Sequence, residues 1–198
     1  MPENLPWISK IKDLLESKGM LSLYITRHET KPPFIHKKIF QTLTDEFHQN
    51  SFESIRNEKS KLRTYAKFKT EIGQEKYLSN IKNLSIRKVV TKFRLSNHTL
   101  LIETGRHKNI PKDHRFCPFC PNIVETEFHF LLDCPCFKVP RNPMLKYVAQ
   151  LNPSYQHYSS DEKFRYLLSN SDHREIYNYI SNAFQIRTFL IARPKMTM

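Results

Sequence analysis

Glycine is almost missing from this chain: Gly19, Gly73 and Gly105 are the only three in 198 residues. Phosphate cradles of the Rossmann or P-loop kind need clustered glycines so that backbone can approach the ligand closely, and nothing here could build one. No two aspartates are adjacent, so the Asp-Asp arrangement that holds a pair of catalytic metal ions has no counterpart. Asp45-Glu46 and Asp161-Glu162 read as helix-end charges. No apolar run approaches the roughly 20 residues of a membrane helix, and the opening MPENLPWISK has no apolar stretch of signal-peptide length. The expectation is a soluble intracellular protein, nuclear or cytoplasmic, neither secreted nor held in a membrane.

What is present points to helices. The 14 Phe and 9 Tyr supply bulky groups for a core although only 39% of the chain is hydrophobic. Scarce glycine, abundant Leu, Ile, Phe, Lys and Glu, and few strictly alternating runs predict a mainly α fold. The formal net charge is +13, and it is concentrated: from Arg56 to Arg115 there are 16 Lys or Arg against 5 Asp or Glu, a net +11. Such a stretch favours a polyanionic partner, RNA or DNA before membrane.

Along the chain, Leu5, Ile8, Ile11, Leu14 and Leu15 recur at helical spacing and Gly19 provides a stop, with Trp7 expected to pack beside that face. A second helix is predicted from Phe34 to about Ile55, with a break near Asn50-Ser51. Next, KLRTYAKFKTEIGQEKYL sets Lys61, Arg63, Lys67 and Lys69 among aromatics. Ile86, Val89, Val90 and Phe93 fall at i, i+3, i+4 and i+7, predicting a buried stripe from Ser85 to Arg94. Arg87, Lys88, Lys92 and Arg94 are thereby expected on an exposed face that could lie along phosphates. Leu100 to Ile102 are read as extended, Gly105 as a turn, and Arg106, Lys108 and Arg115 as further cations for a nucleic acid. Pro140 and Pro143 read as a linker. Helices are predicted near Met144–Leu151, Asp161–Leu168 and His173–Ile191, with Asp161 and Asp172 as caps. This organises the chain as an N-terminal helical segment (1–55), a basic helical region (56–137) and a C-terminal helical segment (138–198).

The strongest chemical signal is FCPFCPNIVETEFHFLLDCPC, which places Cys117, Cys120, His129 and Cys134 in the pattern C-x2-C-x8-H-x4-C. Two cysteines separated by two residues form a tight knuckle whose sulfurs face one ion, and a His and a third Cys complete a tetrahedron. Four protein ligands leave no open position, as in a structural site, and three thiolates with an imidazole suit Zn2+ better than the oxygen-seeking Mg2+ or Ca2+. Cys136 is an alternative fourth ligand, although spacing favours Cys134, and disulfide pairing is the alternative in an oxidising compartment. His107 and His114 are read as ordinary surface or phosphate-contacting residues.

KLRTYAKFKTEIGQEKYL, RKVVTKFRLSNHTLLIETGRH, CPFC and EFHFLLDCPCF together resemble the C-terminal region of the reverse transcriptases of LINE-type, non-LTR retrotransposons, including the zinc-binding motif that follows the polymerase. Lys92, Arg94, Leu95 and Ser96 stand in the K-x-R-L-S positions, and Ile102 to Arg106 in the I-E-T-G-R block. The resemblance covers about residues 60–137. It implies a role in holding template RNA or target DNA, with a polymerase domain supplied by the parent element and no catalytic residues here. The expectation is therefore a helical assembly with one embedded CCHC zinc knuckle, a nucleic-acid-binding module that is a detached tail or truncated reading frame. A protein-interaction scaffold around the zinc, or an enzyme fragment active only with an absent polymerase domain, are the alternatives.

Overall fold

A computed structural model of the chain describes residues 6–26, 31–57, 61–71 and 73–192. Among these, helices dominate and the one β-type pairing is an isolated antiparallel bridge between Phe116 and Val124. The chain divides into two compact units, residues 1–54 and 55–198.

In the first unit, α1 runs Pro6–Ser17. Pro6 opens it, where a missing N–H costs nothing. Gly19 ends it in the left-handed region (φ +65), where a Cβ would be strained. Leu5, expected at the start of this helix, lies outside the described residues, and Trp7 is not packed but exposed. After α2 (Leu21–Ile25) comes α3 (Pro32–Arg56), which continues through Asn50-Ser51 without the expected break. Gln41 and Asp45 hydrogen-bond along its face at 2.8 Å, and Lys18 meets Glu46 at 2.5 Å.

The second unit starts with two short helices, α4 (Arg63–Ala66) and α5 (Lys76–Asn80), and then α6 (Leu84–Arg94). Asn83 caps α6 by accepting from the N–H groups of Ser85 and Ile86, a favoured N-terminal arrangement. Val90 and Phe93 of the predicted stripe are fully buried, with Ile86 and Val89 packed partly. The segment read as extended is instead helix α7 (Leu101–His107). Glu125 explains the difference: its Oε2 accepts the N–H of Leu101 at 2.6 Å, a tertiary cap that local sequence does not announce. Gly105 lies inside α7, buried beneath Arg115.

The prolines read as a linker lie within helix α8 (Lys138–Leu151). Pro140 falls in the first turn, where no intrahelical acceptor is needed, and the carbonyl that Pro143 leaves without a donor belongs to the exposed Val139. Helix α9 (Ser160–Ser169) is capped by Ser159, not Asp161: Ser159 and Glu162 exchange hydrogen bonds in a capping box. Helix α10 (Arg174–Ala192) closes the unit. One apolar core draws on residues from Phe68 to Ala183, so the segments 56–137 and 138–198 share it. Phe93, Phe130, Phe137 and Phe164 are at its centre. No helix among the described residues is long and apolar enough to cross a membrane.

Candidate metal centre

Residues 115–125 form a small hairpin: Cys117 N–H donates to Ile123 O at 2.7 Å and Glu125 N–H to Arg115 O at 2.8 Å. Asn122 turns the chain with φ +57, a conformation that Asn tolerates better than most residues. Within the turn, Cys120 N–H donates to Cys117 O at 3.3 Å.

The other two positions come from a wide turn. Thr126 Oγ1 accepts from His129 N at 3.0 Å and starts a short helix, which then opens into a π-helical turn over His129–Asp133. Cys134 N–H closes that turn on His129 O at 2.7 Å. In a regular α-helix five residues overshoot a full turn by about 140°, which would point Cys134 away from His129. The wider π turn brings the two side chains to the same side.

Cys117, Cys120, His129 and Cys134 consequently converge: one ligand atom from each lies within 4.8 Å of all the others, and all four residues are buried. Cys134 Sγ is 4.0 Å from that of Cys117 and 3.8 Å from that of Cys120. These separations are far beyond the roughly 2.05 Å of a disulfide. They match the sulfur spacing of a tetrahedral centre with metal–sulfur bonds of about 2.3 Å. His129 Nε2 is buried without a hydrogen-bond partner, which is costly for a polar atom unless a ligand fills its direction. The donor set therefore fits a metal ion. Cys136, the alternative ligand, is exposed and outside the cluster.

Burial dominates the electrostatics of the site. It pushes the Cys117 thiol up to about 11 and raises Cys134 further, and it lowers His129 against the opposing pull of Asp133 and Glu125. Neutral imidazole is the ligating form of histidine, whereas the thiols must exchange their protons for a cation. The turn's carbonyls are held from outside. Arg141 of α8 donates to Cys134 O at 3.0 Å and Phe130 O at 3.3 Å, and Tyr179 Oη of α10 lies 3.1 Å from Phe130 O and 3.3 Å from Leu131 O.

Three carboxylates near this centre point inward. Glu103, Glu125 and Glu127 are buried. Arg187 grips Glu125, and Arg63 bridges Glu103 and Glu127, the latter at 2.6 Å. Burial works against ionisation of Glu127, yet His98 and Arg63 outweigh it and bring its pKa down to about 2.

The cations expected to meet nucleic acid fall into two groups. Lys61, Lys88, Lys92 and Lys108 are exposed, as is Lys67, which sits 3.4 Å from Asp161. The others are engaged internally. Arg94 is not on the outer face of α6; it is buried between the rings of Phe68 and Tyr77, bonded to Glu75, Leu168 O and Ser171 Oγ. Lys69 meets Glu75 at 2.5 Å, and Arg87 donates to Leu78 O at 2.7 Å. Arg106 pairs with Glu103 at 3.3 Å, and Arg115 donates to Ile110 O and Ile102 O at 2.9 and 2.7 Å.

Sequence reasoning missed Arg141, Tyr179, Glu125, Glu127 and Arg187. One signal was there to be read: Arg187 is a lone charge in the apolar run FQIRTFLI, and such a charge needs a buried partner. No protein-family model, no curated protein and no solved structure matches the chain.

Proposed function

We propose that this chain is a zinc-stabilised nucleic-acid-binding module, in which Cys117, Cys120, His129 and Cys134 hold one structural Zn2+ and the exposed lysines of the second unit grip phosphates. Three thiolates and an imidazole are a donor set for zinc, and four protein ligands leave no coordination position for a reacting water. The ion would fix the hairpin and the π turn against the core; it would supply no catalytic step.

The observation that carries the nucleic-acid reading is the segregation of charge. Glu103, Glu125 and Glu127 are buried and neutralised by internal partners, while Lys61, Lys88, Lys92 and Lys108 stay at the surface. Among the described residues from 61 to 115 the exposed charges are mostly lysines, with Lys67, Lys76, Lys82 and Lys112 joining those four against the exposed acids Glu71 and Asp113, so this stretch presents a predominantly positive surface. At the mouth of the hairpin, Phe116 is partly exposed and its ring centroid is 5.9 Å from that of His114, a pair on which unpaired bases could stack. The resemblance to the tail of LINE-type reverse transcriptases agrees with this reading. In that setting the module would hold RNA or DNA beside a polymerase domain and perform no polymerisation itself.

Binding to matched single- and double-stranded RNA and DNA, titrated with salt and repeated with chelator, tests the proposal. Affinity should fall steeply with salt, by a log–log slope of about 0.9 per neutralised phosphate on duplex DNA, and should weaken when the metal is withdrawn. Absence of salt-dependent binding would defeat it and favour a protein-binding scaffold.

A further inference from the structure

Among the described residues three arginines are buried: Arg94, Arg141 and Arg187. Arg94 has the carboxylate of Glu75, and Arg187 lies 2.7 Å from both oxygens of Glu125. Arg141 pairs with no carboxylate among the described residues. Its Nε donates to Tyr179 Oη at 3.1 Å, and its Nη2 donates to the carbonyls of Phe130 and Cys134 at 3.3 and 3.0 Å. All of these acceptors are neutral. A guanidinium does not shed its proton in a protein, and a buried charge without a counter-charge is strongly unfavourable.

The missing negative charge lies next to it. A divalent ion held by three thiolates and a neutral imidazole carries one net negative charge, and Arg141 is bonded to the backbone of Cys134, which supplies one of those thiolates. The neighbouring carboxylates do not take this role. Both oxygens of Glu125 are occupied by Arg187, and Asp133 is exposed to solvent. We infer that Arg141 is the counter-ion of the metal centre, a positioning residue on α8 whose charge is balanced only when the Cys3His cluster is filled. The inference rests on the proposal that the cluster holds zinc.

This arrangement couples the ion to the core. Arg141 reaches the cluster from α8 and is oriented by Tyr179 of α10, so filling the site satisfies a charge embedded between the two helices that pack against each other.

The test is zinc transfer from the full-length protein to a chromophoric chelator, comparing wild type with Arg141→Gln, Arg141→Met and Arg141→Lys. Glutamine keeps amide donors without the charge, and lysine keeps the charge without the planar fork. Gln and Met should each weaken zinc retention by about 10–100-fold, as loss of an outer partner of a metal centre does, and Lys should stay within a few-fold of wild type. Denaturation of the zinc-loaded and metal-free forms should show Arg141→Gln destabilising the loaded form more than the metal-free form. Gln retaining wild-type affinity, or Lys losing as much as Met, would overturn the counter-ion role and leave Arg141 as a carbonyl cap. If Met fails to fold, the Gln and Lys comparison decides. A wild type that retains no zinc at all would instead defeat the zinc proposal, and this inference with it.

Discussion

Arg187 holds Glu125 with two hydrogen bonds of 2.7 Å, from Nε to Oε1 and from Nη2 to Oε2. Both residues are buried, and Glu125 Oε2 also receives the N–H of Leu101 at 2.6 Å. One carboxylate thereby ties the final helix, the start of α7 and the chain leading into the metal turn. Arg187→Met leaves that carboxylate buried and unpaired, so the protein should lose about 3–5 kcal/mol, read from urea denaturation. Adding Glu125→Gln should recover part of the loss, since it removes the stranded charge.

Gly105 is indispensable for packing, not for a turn. A Cβ there would lie 2.8 Å from Arg115 Cγ and 2.9 Å from Cδ, and Arg115 cannot swing away without losing its bonds to Ile102 O and Ile110 O. Gly105→Ala should therefore destabilise by roughly 1–3 kcal/mol, the usual cost of overpacking, although alanine is the better helix former. Thermal unfolding of the two proteins would show a lower Tm for the variant.

Glu75 gives the second unit an acid sensitivity. Burial opposes its ionisation, but hydrogen bonds from Lys69 and Tyr65 and the charge of Arg94 outweigh it, holding its pKa below the ordinary 4.5. A carboxylate depressed in the folded state contributes stability above its unfolded pKa and loses it as pH falls through the folded value. Wild type should thus be more stable than Glu75→Gln at neutral pH, and the gap should close progressively as pH falls below the ordinary 4.5. Urea midpoints for both proteins across that range would check it; a constant gap would contradict the assignment.

Lys88 and Lys92 separate binding from folding. Both are exposed one turn apart on α6. Replacing them together with Gln should lower the log–log salt slope on duplex DNA by about 0.9 for each phosphate no longer neutralised, while leaving helicity intact. Arg94→Met should do the reverse, costing at least about 1.5–3 kcal/mol for its charged hydrogen bonds before any binding effect is seen. Equal effects from the two variants in both assays would contradict the division.

Metal content follows from the closed cluster. Protein purified without added metal should carry about one equivalent of zinc by elemental analysis, and His129→Ala should lower that content. His107→Ala and His114→Ala should not, because both side chains lie on the exposed surface. Chelation should raise hydrogen exchange from Phe130 to Phe137, and further at the facing parts of α8 and α10.

The converging Cys3His cluster and most helices were legible because their causes are local. The C-x2-C and H-x4-C spacings need only a knuckle and a turn to bring donors together, and Ile86, Val89, Val90 and Phe93 describe a stripe by periodicity alone. Gly19 marked the end of α1 because its left-handed φ is a property of one residue. What sequence could not supply were partners distant along the chain. Leu101 starts a helix because Glu125 lies across from its N–H, and Pro143 sits within a helix because the carbonyl it deprives is in an exposed turn. Arg94 looked like a surface cation because helical spacing locates a side chain relative to a stripe, not relative to Glu75, and nothing in the basic approach to Cys117 marked Arg115 as packing over Gly105. The sequence by itself determined the helical class, the Cys3His set that converges and the excess of positive charge. Only the tertiary structure decided which charges face water, because burying an ion depends on whether another element brings an opposite charge or a set of carbonyls to meet it.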